Sequence, residues 1–271
     1  MNSIQRIVKY LGGAVLGVLL MMILPAQVVS MLNIQNPFIE KIVSLGIMIL
    51  ILTVLIIAFG QKDVFKFSFS SFKNTFIVGG VMTVITAFYF VTEMHKAIRD
   101  YGTPAIDSTA IIAFFLYVFL GAGVREELVA RGFLLKFIQK AFGNSKASYI
   151  FAMASSSIFF GLMHLSNLDD VTDPTPIYAQ IIYAIGIGFF LAALYLRTGN
   201  LWGNMLLHFL FDVSLMIYPY IYANRTDLST LIGEWLGSNI ILKSILMSVG
   251  AAALGLFLIR DSKFKPGTEV E

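Results

Sequence analysis

The sequence predicts an all-α protein, a polytopic bundle of about eight transmembrane helices around an internal polar cavity. Three observations predict it. Of 271 residues, 58% are hydrophobic and only 13% are charged, about half the charged fraction of an ordinary soluble domain. The apolar residues fall into runs near the length that crosses a bilayer, about 20 residues. Ionisable side chains nevertheless stand within or beside some of these runs. Each costs about 2.5–3.5 kcal/mol at a membrane centre, so it must face protein or trapped water.

The runs are Tyr10 to Leu32, Ile42 to Phe59, Phe76 to Val91, Ala110 to Gly123 and beyond, Ser148 to Leu165, Ile177 to Leu196, Leu201 to Tyr220 and Ile240 to Ile259. The first exceeds a signal-peptide core and no clear small-x-small site follows it, so it reads as a retained helix. Turn signals separate the runs at Asn36-Pro37, Gly60-Gln61, Gly102-Thr103-Pro104, Gly143-Asn144, Asp173-Pro174 with Pro176, and Gly199-Asn200. The longest polar stretches, about a dozen residues, are too short to fold as a separate domain.

Cysteine is absent, which excludes disulfides and thiolate metal sites. The net charge of +3 comes from cations at the ends of apolar runs, a membrane-topology pattern and not a nucleic-acid footprint. With the N-terminus inside, the cytoplasmic side holds Arg6, Lys9, Lys62, Lys66, Lys73, Lys136, Lys140, Lys146, Arg197, Arg260, Lys263 and Lys265. The other side holds Lys41, Lys96, Arg99, Arg225 and Lys243, and an acidic loop with Asp169, Asp170 and Asp173. This asymmetry places both termini in the cytoplasm.

Arg125 and Arg131 stand apart from that count. They belong to the segment Gly123-Val124-Arg125-Glu126-Glu127-Leu128-Val129-Ala130-Arg131-Gly132-Phe133, where four ionisable groups sit between two apolar stretches. At helical spacing Glu127 and Arg131 share a face and can pair. Glu126, rotated by about 100 degrees, then faces a different neighbour. The bland alternative is that the fourth helix ends near Gly121-Ala122-Gly123 and the cluster is a solvated turn.

Histidine weighs against that alternative. Of the three in the chain, His95 lies among Glu93, Lys96 and Arg99 at a helix end and reads as interfacial. His164 closes the apolar run Ile158 to Met163, and His208 lies inside Met205 to Phe211. Asn204, His208 and Asp212 recur every fourth residue, one polar stripe on an otherwise apolar helix. Such a stripe must face protein or a water-filled cavity.

Glu126-Glu127-x-x-x-Arg131, Phe160-x-x-x-His164 and His208-x-x-x-Asp212, in this order on successive apolar helices, resemble the three motifs of the CPBP family. That family comprises the type II CAAX prenyl proteases and their bacterial Abi relatives, including bacteriocin-immunity proteins. Gly132-Phe133-Leu134 after the arginine adds to the likeness. The resemblance implies an intramembrane endopeptidase in a bacterial cell membrane, acting on membrane-associated peptides or proteins. It implies that Glu126 is the catalytic base, that Glu127 with Arg131 supports it, and that His164, His208 and Asp212 complete the site. Asp212 fits the looser bacterial pattern; prenyl proteases usually have asparagine there, and an ionised carboxylate would repel an oxyanion. The chain then divides into N-terminal helices (1–106), a CPBP-like core (107–220) and a last helix with a cytoplasmic tail (221–271) in one membrane domain. The expected partners are membrane lipids and a peptide or membrane-protein substrate.

Hydrolysis inside a membrane needs a held water, a base and donors for the oxyanion. With no cysteine and no serine in a nucleophile motif, attack by water activated at Glu126 is the economical choice. His164 could hold the water or pass a proton to the leaving amine. His208 could donate to the carbonyl oxygen, with Asp212 fixing its tautomer or keeping it charged. A catalytic zinc on Glu126, His164 and His208 is the other way to activate water. The His-Glu-x-x-His signature is missing, and the relatives imply a metal-free site, so the expectation is no cofactor. Other readings are a proton- or ion-relaying transporter, which an internal repeat would support and none is evident, and a non-catalytic scaffold or immunity protein. Counting along the helices leaves one difficulty: His164 lies roughly 27 Å from the cytoplasmic start of its helix and His208 only about 12 Å from the start of its own. They meet only if a helix tilts, breaks or starts outside the hydrocarbon.

Overall fold

The computed structural model describes residues 2–168 and 171–260. Asp169 and Asp170 of the acidic loop, and Lys263 and Lys265 of the basic tail, lie outside the described residues. The described chain runs through α1 (Ser3–Leu32), α2 (Pro37–Ala58), a 3-10 turn (Lys62–Phe65), α3 (Phe69–Val78), α4 (Gly80–Asp100), α5 (Ser108–Phe142), α6 (Lys146–Leu168), α7 (Thr175–Thr198), α8 (Leu201–Tyr222), α9 (Leu228–Leu236) and α10 (Ile240–Leu258). No strand occurs among the described residues. Seven helices, α1, α2, α5 to α8 and α10, are long and apolar enough to cross a membrane. The pair α3 and α4 makes an eighth candidate.

Most of the helices start where the sequence supplies a side-chain acceptor for the orphan N–H groups of the first turn. Asn36 accepts from the N–H groups of Phe38 and Ile39, Asp107 from Ala110, Ser145 from Ser148 and Asn200 from Gly203. Gly60, Gly102, Gly143 and Gly199 take positive φ between these helices, a conformation a Cβ would strain.

The third apolar run, read as one helix from Phe76 to Val91, is broken. α3 and α4 meet at Gly79 with a bend of 76°. The Phe76 carbonyl at the bend finds a donor in the Thr83 hydroxyl (3.0 Å), as apolar surroundings require, while Gly79 O accepts the Thr83 backbone N–H (3.0 Å). Gly79 also allows a close approach to the core, because a Cβ there would lie 3.0 Å from Leu194 and 3.2 Å from Leu207.

The broken helix also anchors the start of α8. The cap residue Asn200 is fully buried and donates to Ser71 Oγ (2.9 Å) and Ser68 O (3.3 Å) at the start of α3. His208, less than two turns into α8, is buried and lines the same cavity as His164, so the two do meet.

α7 is the centre of the bundle, packed between α6 and α10. Its contact with α10 is backbone against backbone: a Cβ on Gly186 would sit 2.3 Å from Ser248 Cα, the close approach that small residues permit between membrane helices. α1 and α2 pack on the far end of α5 through Phe59, Phe133 and Phe137, with ring centroids 4.3–4.9 Å apart.

α5 does not end at Gly121-Ala122-Gly123. It runs unbroken to Phe142, and its stretches Phe119–Glu126 and Leu128–Leu135 are wound as π-helix, with i→i+5 bonds. This wider winding, often found at functional sites, turns less per residue than an α-helix, so neighbouring residues face more nearly the same way. All eight residues of Leu128–Leu135 are buried.

Candidate active site

The innermost element of the site is an ion pair. Glu127 and Arg131 are almost wholly inaccessible, and Arg131 Nη1 donates to Glu127 Oε1 at 2.8 Å, the four-residue pairing their spacing predicts. Two charges in so dry a place persist only when their remaining hydrogen-bonding capacity is met. Here it is. Arg131 Nη2 donates to Gly188 O on α7 (3.1 Å) and its guanidinium lies 4.7 Å from the Phe160 ring centroid on α6. Glu127 Oε1 also meets His208 Nδ1 at 2.9 Å, and Oε2 accepts from Asn204 Nδ2 at 3.4 Å, both on α8. The pair thus ties α5 to α6, α7 and α8.

Glu126 faces elsewhere. It lines a cavity of about 310 Å³ together with His164, His208 and Asp212. Arg125, Asn167, Gln180 and Tyr183 share the wall. Three helices therefore converge on one space, α5 with Glu126, α6 with His164 at the end of its α-helical part, and α8 with His208 and Asp212. Glu127 is not on that wall. It stands behind the cavity, bonded to His208 Nδ1 from the far side.

The ring nitrogens have distinct partners. His164 Nδ1 lies 3.0 Å from Phe160 O; a carbonyl only accepts, so Nδ1 carries the proton and Nε2 is left for the cavity. His208 Nδ1 likewise donates to the Glu127 carboxylate, leaving Nε2 3.9 Å from Asp212 Oδ1. Phe160 packs edge-on to both rings, with centroids 5.3 Å from His164 and 5.8 Å from His208, and so holds them apart.

Glu126 Oε1 is bonded by Arg125 Nη2 at 2.5 Å. A long guanidinium side chain reaches its chain neighbour, as Arg99 also does to Asp100 on α4. The sequence placed Arg125 in the charged cluster without a partner, and Asn204 only in a stripe. Gln180 and Tyr183, three apart on α7, offered a weaker signal, a glutamine alone in an apolar helix. His95 lies on α4 and does not line the cavity.

Among the described residues, no three His, Asp or Glu side chains are grouped so that they could hold a metal ion. Glu126, His164 and His208 line one cavity without converging on one point. The set does not fit a zinc shell as it stands.

Carboxylates and imidazoles are thus gathered on one cavity inside a bundle of helices long and apolar enough to cross a membrane. Residues 108–214 match the family model described as type II CAAX prenyl endopeptidase, Rce1-like. The match contains all three motifs and agrees with the CPBP resemblance; the family is one of membrane-embedded peptidases. No match was found among curated proteins or among solved structures.

Proposed function

We propose that the chain is an intramembrane endopeptidase that hydrolyses membrane-associated peptides or proteins with water activated by Glu126. The observation that carries this reading is the meeting of Glu126, His164, His208 and Asp212 on one cavity wall, backed by the buried Glu127–Arg131 pair. A transporter would call for a continuous polar path. A scaffold would have no use for several ionisable groups in one buried space, each costly to place there.

In the proposed reaction a water lies between Glu126 and the free Nε2 of His164. Glu126 takes one proton as the oxygen attacks the peptide carbonyl carbon, and the carbonyl oxygen becomes an oxyanion. His208 meets that charge with Nε2–H, which it carries only as imidazolium. Carboxylates on both sides of its ring, Glu127 at Nδ1 and Asp212 beyond Nε2, form the setting in which it does so. When the C–N bond breaks, the proton held by Glu126 passes to the leaving nitrogen, directly or through His164. One water is consumed, and a carboxylate and an amine leave. Asp212 acts here on His208 and not on the oxyanion, which it would repel.

An apolar cavity of about 620 Å³ between α4, α7 and α10 adjoins this space, and Ile187 and Phe211 line both. It supports a substrate whose apolar part rests in the bundle beside the scissile bond. The asymmetry of lysine and arginine supports both termini lying in the cytoplasm.

Cleavage of a pool of lipid-anchored peptides by the purified protein tests the reading, with products read by mass spectrometry. His164→Ala and His208→Ala are each expected to lower the rate at least about 100-fold, and joining either to Glu126→Gln is expected to add little, because groups acting as a unit lose activity non-additively. Full activity in both histidine variants would overturn it.

A further inference from the structure

Arg125 is the one guanidinium on the cavity wall among the described residues, and it is incompletely used. Its Nη2 donates to Glu126 Oε1, whereas its Nε–H is buried with no partner. Nε and Nη2 form one edge of the guanidinium, two parallel donors matched to the two oxygens of a carboxylate. Glu126 engages a single tooth of that fork. The other stands unmet in a buried place, where an unsatisfied donor is costly. The bond also sets a cation on Oε1 of the carboxylate that is to take a proton from water, and a cation held there opposes that transfer.

Both anomalies end together if a second carboxylate arrives. We propose that Arg125 is a specificity-determining residue that binds a carboxylate of the substrate on its Nε/Nη2 edge and in doing so releases Glu126 to act as base. The proposal rests on the reading of Glu126 as that base. Arg125 then has two states, a latch on the resting carboxylate and a receptor for the substrate's own. The carboxylate has two possible sources, the free C-terminus of the peptide or an acidic side chain close to the scissile bond.

The test uses the full-length protein in liposomes and lipid-anchored peptides randomised over their last four residues, made as three pools. One pool ends in the free acid, one in the primary amide, and one in the amide with a fixed glutamate near the end. Wild type is expected to cleave the acid pool, the glutamate pool or both about 10- to 100-fold faster than the plain amide pool, the scale of a charge-assisted hydrogen bond. Arg125→Gln should erase that advantage from both sides, slowing the favoured pool through loss of the receptor and speeding the plain amide pool through release of Glu126, and Arg125→Lys should restore it in part, since it keeps the charge but not the fork. A fast acid pool beside a glutamate pool at the plain amide rate assigns the source to the terminus; a fast glutamate pool beside an acid pool at the plain amide rate assigns it to a side chain; both fast means that either serves. Wild-type rates on the acid and glutamate pools no higher than on the plain amide pool, or an advantage unchanged in Arg125→Gln, overturn the proposal and leave the peptidase reading standing. Cleavage of no pool overturns both. Should Arg125→Gln fail to fold, binding to Glu126→Gln decides the matter: with Arg125 freed from its partner, that variant should bind acid-ended peptides at least about 10-fold more tightly than amide-ended ones, and equal binding contradicts the idea.

Discussion

Replacing Arg131 by alanine removes the cation from a carboxylate that has almost no contact with solvent. Glu127 keeps His208 Nδ1 at 2.9 Å and Asn204 Nδ2 at 3.4 Å, but the Gly188 carbonyl loses its donor and Phe160 loses the guanidinium over its ring. Breaking one side of a buried ion pair costs about 3–5 kcal/mol, which at about 1.4 kcal/mol per tenfold raises the unfolded fraction by two to three orders of magnitude. Against a typical stability of about 5–15 kcal/mol, that is enough to lower accumulation in the membrane. Glu126→Gln alters a side chain on the cavity wall and is expected to melt within about 1 kcal/mol of wild type. Arg131→Met joined to Glu127→Gln should recover most of the loss, because replacing both partners by neutral groups is far less costly than orphaning one. The assay is thermal unfolding of the detergent-solubilised protein beside the yield of folded protein. Equal melting temperatures for Arg131→Ala and Glu126→Gln would refute the division between a structural pair and a reactive glutamate.

Other expectations follow from the packing and the loops. Gly186→Val should sharply reduce folded yield, since even a Cβ would meet the Ser248 backbone at 2.3 Å, whereas Gly250→Ala, with no heavy atom within 4 Å of its added Cβ, should be tolerated; fluorescence-detected size exclusion distinguishes them. Single cysteines at Lys62 and Thr172 in this cysteine-free chain should react with an impermeant maleimide from opposite sides, Thr172→Cys in intact cells and Lys62→Cys only after lysis; the reverse pattern would invert the topology. Asp227, which caps α9, is held below the usual carboxylate range by the Thr230 hydroxyl first and then by backbone N–H groups, against some desolvation. Its folded value is depressed, so its contribution is present above the unfolded value of about 4 and is lost as pH falls through the folded one. Fluorescence of Trp235 on α9, in a Trp202→Phe background, should change as pH drops below about 4, and the change should vanish in Asp227→Ala.

Hydropathy made the eight apolar runs legible, because the cost of leaving a backbone or charge in lipid is large and falls evenly along a span. The break at Gly79 was not legible. It depends on a threonine four residues later and on side chains from α7 and α8 that crowd the glycine, contacts with no local pattern. The anchoring of α8 was not legible for the same reason: nothing around Gly199-Asn200 announces that the Asn200 side chain donates to Ser68 and Ser71 at the start of α3. At the site, the glutamates, the histidines and Asp212 could be singled out because each is expensive in an apolar run. The separate directions of Glu126 and Glu127 were legible too, since a helical count sets them about 100 degrees apart. Their partners were not: the bond of Arg125 to Glu126, the contact of Glu127 with His208 of α8 and the π winding of α5 have no local pattern.

The account stands or falls on Glu126 acting on water without a metal. The direct measurement is single-turnover cleavage of a lipid-anchored peptide by purified wild type and Glu126→Gln, each before and after exhaustive chelation and again after adding zinc or cobalt. The glutamine is close in shape to glutamate but accepts no proton at neutral pH. Wild type is expected to keep its rate through chelation and to contain less than stoichiometric zinc, while Glu126→Gln binds the peptide and cleaves at least about 1,000-fold more slowly in every condition. Activity that disappears on metal removal and returns with zinc or cobalt would contradict the account and make Glu126, His164 and His208 metal ligands; activity that survives in Glu126→Gln would remove Glu126 from the chemistry altogether.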